Sequence, residues 1–239
     1  MARPRAARVD ATVNLRRVGP AYEGLGHGIA DDLRRAILDG SIPAGSSLVE
    51  ADLAGRFGVS RGPVRDAFRD LARQGLVIDL PRRGTVVSTI SLHDIQEVYE
   101  VREGLEIVAV RLGSVRASDA DLGLLEERLD ALEAAWDRGA GYPESLALDL
   151  DFHRSVVSIP GNRRLIASYE QMLVQTQLNA INAAELNPRL RRSMRRDAHR
   201  DILRGLRAHD ADRSEAAIIA HYAYARERLL PDRSERGRS

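Results

Sequence analysis

A helical repeat of apolar residues runs with few interruptions from residue 92 to residue 229. Apolar side chains recur every three or four residues, and the breaks fall at short segments rich in Gly, Pro, Asn, Asp and Ser. Aromatic residues make up only 4% of the chain, so these helices must pack through Leu, Ile, Val and Ala. The sequence therefore predicts an antiparallel all-α bundle over 91–230. Its predicted helices span 92–113, 118–137, 143–157, 162–186, 189–208 and 212–229.

Residues 21–90 show a different order of elements. Three helices are predicted, near 26–39, 50–57 and 60–74, and two short strands follow at 76–80 and 85–88. Helix, helix, tight turn, helix and hairpin is the order of a winged helix-turn-helix with a small β-hairpin wing. We expect a mainly α protein of two domains, with the boundary near residues 88–92. Residues 1–20 are predicted to be a flexible basic arm, and 231–239 a disordered tail.

Composition excludes several classes of protein. The chain has no cysteine, which rules out disulfides, thiolate metal sites and a cysteine nucleophile, and fits a cytoplasmic setting. No apolar run approaches the roughly 20 residues that a membrane span needs, and the basic N-terminus lacks the apolar core of a signal peptide. Residues 1–20 hold five arginines and one aspartate, so the front of the chain suits a polyanion. Every basic residue is Arg, although genome composition alone also accounts for that preference.

The third predicted helix is the one that a winged helix-turn-helix inserts into the major groove. Its first exposed residues are then placed to meet base edges, while arginines on the wing and on the first helix are placed to hold phosphates. An exposed arginine face is also compatible with simple solvation, and helix-turn-helix units also bind proteins. The predicted DNA-contacting residues are Arg34, Arg35, Ser60 (which can also cap the third helix), Arg61, Gly62, Arg65, Arg69, Arg82, Arg83 and Gly84.

Four residues of the second half have the spacing of a metal site. Asp149 and His153 are four apart, which places them on one face of a helix. His199 and His221 each lie 11 residues from Asp210, where a turn between two antiparallel helices is predicted. If both helices run unbroken to that turn, the two histidines stand side by side at the same level. Three imidazoles and one carboxylate suit a borderline divalent ion such as Zn, Ni or Mn. The alternative is an ordinary hydrogen-bonded core.

Arg102 falls on the inward stripe of the helix predicted over 92–113, with Ile95, Leu105 and Ala109. A buried arginine is rare without an anion. One interpretation is a clamp for a carboxylate ligand next to the metal. The other is a structural pair with an acid such as Glu106, or a head group that reaches solvent. Two polar residues one turn apart on a later helix, Gln175 and Asn179, are further candidates for a ligand pocket.

The N-terminal half resembles the GntR family of bacterial regulators. The resemblance rests on residues 53–68 (LAGRFGVSRGPVRDAF), on Ile37–Gly40 with Pro43–Gly45 and Leu48 before them, and on residues 71–77 and 81–84 after them. It covers about residues 25–90. It implies binding to a two-fold, palindromic DNA operator by a homodimer.

The C-terminal half resembles the FCD effector domain of the FadR subfamily of those regulators. Residues 98–106 (VYEVREGLE) are similar to its opening helix, and Asp149, His153, His199 and His221 are similar to its ligand pattern in order and spacing. The resemblance implies a bundle of six or seven helices holding a metal to which a small carboxylate binds. It also implies a structural or pocket role for Asn162.

These observations together predict a transcriptional regulator, acting as a repressor, whose operator affinity is controlled by a carboxylate effector at a metal site. Three alternatives stay open at this point. A metal site with an open position can activate water, as in a hydrolase fused to a DNA-binding module. The core can instead be metal-free and bind an acyl thioester, or the chain can be a purely structural helical adaptor.

Overall fold

A computed structural model describes residues 25–89, 91–186 and 196–229. Contacts divide the chain into two compact units, and the boundary between them along the sequence lies between residues 90 and 91. The described part is mostly helical, and its only sheet is one antiparallel hairpin near the end of the first unit, which confirms the predicted fold class. The predicted basic arm, the predicted tail and the start of the helix predicted over 189–208 lie outside the described residues.

The first unit contains three helices and the hairpin, with bounds α1 Leu25–Leu38, α2 Glu50–Phe57, α3 Arg61–Arg73, β1 Val77–Leu80 and β2 Gly84–Val87. Helices α1 and α3 pack through Ile29, Leu33, Val64 and Phe68, all buried, because each helix presents apolar residues at helical spacing on one face. Strand β1 pairs with β2 from Val77 opposite Val87 to Leu80 opposite Gly84.

The tight turn between α2 and α3 depends on Gly58. Its φ of 71° lies in the left-handed region, and its N–H donates to the carbonyl of Ala54 to close helix α2. Ser60 stands at the N-cap of α3 in extended conformation, but its side chain makes no capping hydrogen bond, contrary to the capping role expected for it. The hydroxyl of Ser60 therefore stays exposed at the start of α3.

The second unit is a bundle of α4 Leu92–Arg116, α5 Asp119–Asp137, α6 Tyr142–Ser158, α7 Arg163–Leu186, α8 Arg196–Arg207 and α9 Ala211–Leu229. Helix α4 packs against α6, α7, α8 and α9. Ser91 and Asp94 form a capping box at the start of α4, which fixes the point where the bundle begins. In the part of the chain that the structure describes, no helix is both long and apolar enough to cross a membrane.

Helices α8 and α9 approach very closely at their common turn. A Cβ added at Gly205 would lie 2.8 Å from the Cα of Ser214 and 2.9 Å from its backbone nitrogen. The Ser214 hydroxyl donates to the carbonyl of Asp210 at 2.7 Å and lies 3.2 Å from the Ser114 hydroxyl of α4. These small residues let α8 and α9 run side by side, which sets the level of the histidines further along each helix.

Candidate metal centre and DNA-contacting helix

Three helices bring the predicted metal-binding histidines together. The ring centroids of His199 on α8 and His221 on α9 are 4.7 Å apart, so the two residues stand level as their spacing predicted. His153 on α6 lies 4.6 Å from the His221 ring and 5.2 Å from the His199 ring. One nitrogen of each ring lies within 4.8 Å of the other two. A single ion between them can therefore contact all three side chains.

Asp149 adds a carboxylate to the same cluster. Its Oδ1 lies 2.9 Å from Nε2 of His199 and 3.9 Å from Nε2 of His153. Burial opposes ionisation of this group, but the hydrogen bond from His199 and the electrostatic effect of the neighbouring His153 and His199 hold the pKa of Asp149 well below its usual range. The cluster thus offers one anionic oxygen beside ring nitrogens of His199 and His153, and Asp149 stays a predicted fourth ligand.

The residues fit a divalent metal on two physical grounds. Nε2 of His153 is fully buried and has no hydrogen-bond partner among the described residues, which is costly unless a ligand uses its lone pair. Burial, and then the neighbouring His153 and His199, lower the pKa of His221 well below its ordinary value, so that ring is held neutral. Neutral imidazoles and an ionised carboxylate are the forms that bind metal.

Glu106 of α4 is a member of the site that the sequence did not assign to the metal. Its side chain is completely buried, and Oε2 lies 2.7 Å from Nδ1 of His153. Oε1 accepts hydrogen bonds of 2.6 Å each from the hydroxyls of Tyr169 and Tyr222. Burial alone would raise the pKa of Glu106, but His153 and Arg102 lower it to about 2. An ionised Glu106 accepts a hydrogen bond from Nδ1–H of His153, which leaves Nε2 of that ring directed at the other histidines.

Arg102 is buried, as its place on the helix predicted, with 3% of its surface exposed. Its Nη2 donates to Glu106 at 3.1 Å and to the Tyr169 hydroxyl at 2.8 Å. Its guanidinium lies 5.5 Å and 5.6 Å from the ring centroids of Tyr169 and Tyr222. Of the two interpretations of Arg102, the structure contains the ion pair with Glu106. For the effector clamp, the structure shows that Nε of Arg102 is buried without a hydrogen-bond partner among the described residues.

The other predicted effector contacts are less well supported. Asn162 uses its side-chain oxygen to accept from the backbone N–H groups of Arg164 and Leu165, at 3.1 and 3.3 Å, and so caps α7. That is the structural role, because its acceptor is already occupied by the helix. Gln175 is half-buried on α7, and the side chain of Asn179 lies outside the described residues.

Two aromatic rings flank the histidines. The Phe152 ring lies 5.1 Å from that of His199 and 5.4 Å from that of His153. The ring of Trp136 lies 5.8 Å from that of His199. Trp136 is the only tryptophan in the chain, so its fluorescence reports on this site alone.

Helix α3 exposes the residues predicted to read DNA. Arg61 and Gly62 are exposed in its first turn. Arg65 is exposed too and makes a two-pronged ion pair with Glu50 of α2, with N–O distances of 3.1 and 3.0 Å. Arg69 pairs with Asp66 one turn before it. The carboxylate of Glu50 therefore orients Arg65 in the absence of DNA.

The arginines of α1 and of the wing differ in how accessible their guanidinium groups are to DNA phosphates. Arg34 is three-quarters buried, bonded to Asp31, Asp70 and Gln74, so it joins α1 to α3 rather than standing free for DNA. Arg35 pairs with Asp32 but keeps most of its surface exposed. Arg82, Arg83 and Gly84 are exposed at the wing tip, where Arg82 and Gly84 adopt φ of 64° and 69°.

Both halves of the chain match known families. Residues 97–224 match the FCD domain family, and residues 25–87 match the family described as bacterial regulatory proteins, gntR family. An uncharacterized HTH-type transcriptional regulator of Bacillus subtilis, YdhC, is 34% identical over 56% of this chain and 60% of its own length. The HTH-type transcriptional repressor RspR of Escherichia coli is 28% identical over 85% and 88%.

The fold has solved counterparts. The structure of E. coli McbR/YncC superposes with a TM-score of 0.65 at 23% identity, covering 86% of this chain and 96% of that one. This likeness extends over both units and supports the arrangement of elements within each of them.

Proposed function

The chain belongs to the GntR family of bacterial regulatory proteins with an FCD domain, and we propose that it is a metal-dependent, effector-controlled repressor. In this proposal a homodimer acts in the cytoplasm on a palindromic operator. Asp149, His153, His199 and His221 hold one divalent ion, and a small carboxylate that binds the ion changes operator affinity. The cluster of three histidines around the orphaned Nε2 of His153 is the observation that carries the proposal.

The charge balance of the site favours an anionic effector. A divalent ion bound by one carboxylate and three neutral imidazoles keeps a net charge of about +1. Arg102 and Glu106 next to it cancel one another. The remaining positive charge lies in a buried setting where it interacts strongly, so a small carboxylate gains more than a neutral ligand does. Zn, Ni and Mn all suit the donor set, and the bound ion would supply the open coordination position for the effector.

Helix α3 is the part of the chain that fits the operator. Arg61 and Arg65 stand one turn apart at its exposed N-terminal half, and an arginine fork matches the two acceptors of guanine in the major groove. The pair with Glu50 keeps Arg65 extended in free protein and must be shared or released on binding. Arg35, Arg83 and Gly84 are the further contacts we propose for the phosphate backbone.

Helix α4 provides the covalent route from the metal site to the DNA-binding unit. Glu106 in the middle of α4 contacts His153, while the N-terminus of α4 follows strand β2 after only residues 88–91. A shift of His153 on effector binding therefore acts on the helix that leads directly to the wing. We propose that this changes the spacing of the two DNA-binding units in the dimer.

The alternative functions are tested against the same residues. A metalloenzyme is not retained, because both families and the named relatives are transcriptional regulators rather than enzymes. A metal-free regulator that binds an acyl thioester leaves Nε2 of His153 buried without a use, and so does a purely structural adaptor. Both predict purified protein without stoichiometric metal.

The first experiment measures the metal and the response to carboxylates. Elemental analysis of purified protein should give about one divalent ion per chain. Thermal shifts against a panel of small carboxylates, run with and without chelator, should show stabilisation that the chelator removes. Replacement His199→Ala should abolish both. A carboxylate response that persists in metal-free protein would overturn the effector model.

The DNA-binding half is tested separately. Operator sequences are selected from a random DNA library, and binding is then measured at fixed salt, because affinity depends strongly on ionic strength. Arg65→Ala should abolish operator binding and leave metal content unchanged. The matched control is Arg73→Ala, which removes another exposed, ion-paired arginine from the other end of α3. Retained affinity in Arg65→Ala would refute the assignment of α3 as the reading helix.

A further inference from the structure

Glu50 is an acidic residue beside the arginines of the proposed reading helix. It is the first residue of α2, and its carboxylate bonds to Arg65 of α3, with Oε1–Nε and Oε2–Nη2 distances of 3.1 and 3.0 Å. The hydrogen bond from Arg65 lowers the pKa of Glu50, and the charge of Arg61 adds to this effect, so the carboxylate is ionised at neutral pH. A negative charge at a surface that binds phosphates weakens binding to any DNA, whatever its sequence.

The pairing of Arg65 differs from that of two other arginines on α3. Arg69 and Arg73 each bond through a single nitrogen to an aspartate three residues earlier on the same helix. Exposed local pairs of this kind contribute little and leave the side chain free to turn. Arg65 bonds through two nitrogens to a different helix, and its partner Glu50 exposes 32% of its side chain, compared with 64% for Asp66. The guanidinium of Arg65 is therefore held in one plane before DNA binds.

The two bonds use one edge of the guanidinium and leave another edge for DNA. Glu50 accepts from Nε and from one hydrogen of Nη2, so neither bond uses the hydrogens of Nη1 or the second hydrogen of Nη2. A pair of hydrogens from Nη1 and Nη2 matches O6 and N7 of guanine, which the major groove presents side by side. Arg65 can therefore keep its bonds to Glu50 while it binds guanine.

We propose that Glu50 is a specificity-determining residue, which holds Arg65 in the orientation that binds guanine and makes the same guanidinium a poor partner for phosphate. A phosphate that approaches Arg65 also approaches the Glu50 carboxylate, and like charges at an interface are costly. Guanine carries no net charge, so its acceptors meet no such repulsion. The inference rests on the proposed function, in which α3 reads the operator, and it specifies how α3 separates the operator from other DNA.

The experiment measures base preference as well as affinity. Each base pair of the selected operator is changed in turn, and binding is compared with that of the operator and of unrelated DNA at one salt concentration. A bidentate contact between arginine and guanine discriminates by about 5- to 150-fold. Glu50→Gln should lose at least about fivefold of this discrimination at one base pair, while its binding to unrelated DNA becomes stronger. Arg65→Lys keeps the charge but not the fork, so it should lose preference at the same base pair.

Further variants separate the position of the Glu50 carboxylate from its charge. The matched control is Asp66→Asn, which removes an equal charge from an exposed acid that bonds to an arginine of α3 and should leave the preference at that base pair unchanged. Glu50→Asp keeps the charge but shortens the side chain, so it should relax the preference without a change in net charge. In the Arg65→Lys background, Glu50→Gln should reduce the preference no further, because Glu50 acts through the fork of Arg65.

The results separate failure of this inference from failure of the proposed function. Loss of preference at one base pair, shared by Glu50→Gln and Arg65→Lys, supports the inference. Full preference in Glu50→Gln would overturn it and leave the proposed function intact. Loss at a different base pair would also overturn it, because Glu50 would then contact a base itself. If Arg65→Lys keeps every base preference, both this inference and the proposed role of Arg65 in reading the operator fail, whereas metal content would be unaffected.

Discussion

Replacing Glu106 by Gln isolates the contribution of a residue that does not touch the metal itself. The carboxylate holds Nδ1 of His153 at 2.7 Å and so fixes which nitrogen faces the other histidines. Glutamine keeps the size of the side chain but removes its charge. Loss of such a supporting partner typically weakens metal binding 10- to 100-fold, or by about 1.4–2.7 kcal/mol. We expect Zn²⁺ affinity to fall within that range.

The same change affects folding, and the two effects must be separated. Glu106→Gln leaves Arg102 buried without its counter-charge, which costs about 3–5 kcal/mol of unfolding free energy. The double variant Arg102→Met with Glu106→Gln removes both charges and avoids this cost. If the bond to His153 is what matters, the double variant should recover stability in urea but keep the weakened Zn²⁺ affinity.

The assay is competition for Zn²⁺ against a chromogenic chelator, with the fluorescence of Trp136 as a direct signal from the site. The matched control is Glu103→Gln, which makes the same change one turn earlier on α4, where the carboxylate bonds to Arg226 and not to a histidine. That variant should bind Zn²⁺ like the wild type. If Glu106→Gln also holds Zn²⁺ with wild-type affinity, our account of how His153 is oriented is wrong.

Three further predictions concern the bundle and its ion. Gly205→Ala forces α8 away from Ser214 and should cost about 1–3 kcal/mol in urea unfolding, whereas Gly123→Ala, with nothing within 4 Å, should be neutral or stabilising. Asn162→Ala should lose about 1 kcal/mol of capping free energy yet keep the carboxylate response in thermal shifts; a lost response would return Asn162 to the effector site. Chelation should lower the Tm of protein held at metal 1,000-fold above Kd by roughly 8–16 °C, since such binding contributes about 4 kcal/mol, and an unchanged Tm would argue against a bound ion.

Local patterns were enough to predict most of the helices and the level of the histidines. Several helices end at or beside glycine or proline, namely Gly40, Gly58, Pro160 and Gly161. These ends can be predicted because the backbone preferences of Gly and Pro depend on the residue itself and not on distant contacts. That His199 and His221 stand level could be predicted because a tight turn joins their helices. Both helices rise by the same amount per residue, so residues equally far from the turn lie side by side. The main difference in bounds is that α4 continues to Arg116, three residues beyond its predicted end.

The roles of the charged residues could not be obtained in this way. The spacing of apolar residues predicts which face of a helix is buried. In α4, however, the centre of the buried face is occupied by the charged residues Arg102 and Glu106. Which acid meets which base depends on contacts between distant elements, as with Glu106 and His153 or Arg65 and Glu50. Arg34 appeared to be a surface residue for the same reason, since its partners are Asp70 of α3 and Gln74, which directly follows α3.

Helix α4 is the element on which these features meet. Its buried side carries Glu106 against His153, and only residues 88–91 separate its first turn from the wing. A packed helix moves as a unit, because its backbone hydrogen bonds resist bending and its neighbours leave few voids. In the function we propose, a displacement of His153 by an effector is therefore passed through α4 to the DNA-binding unit.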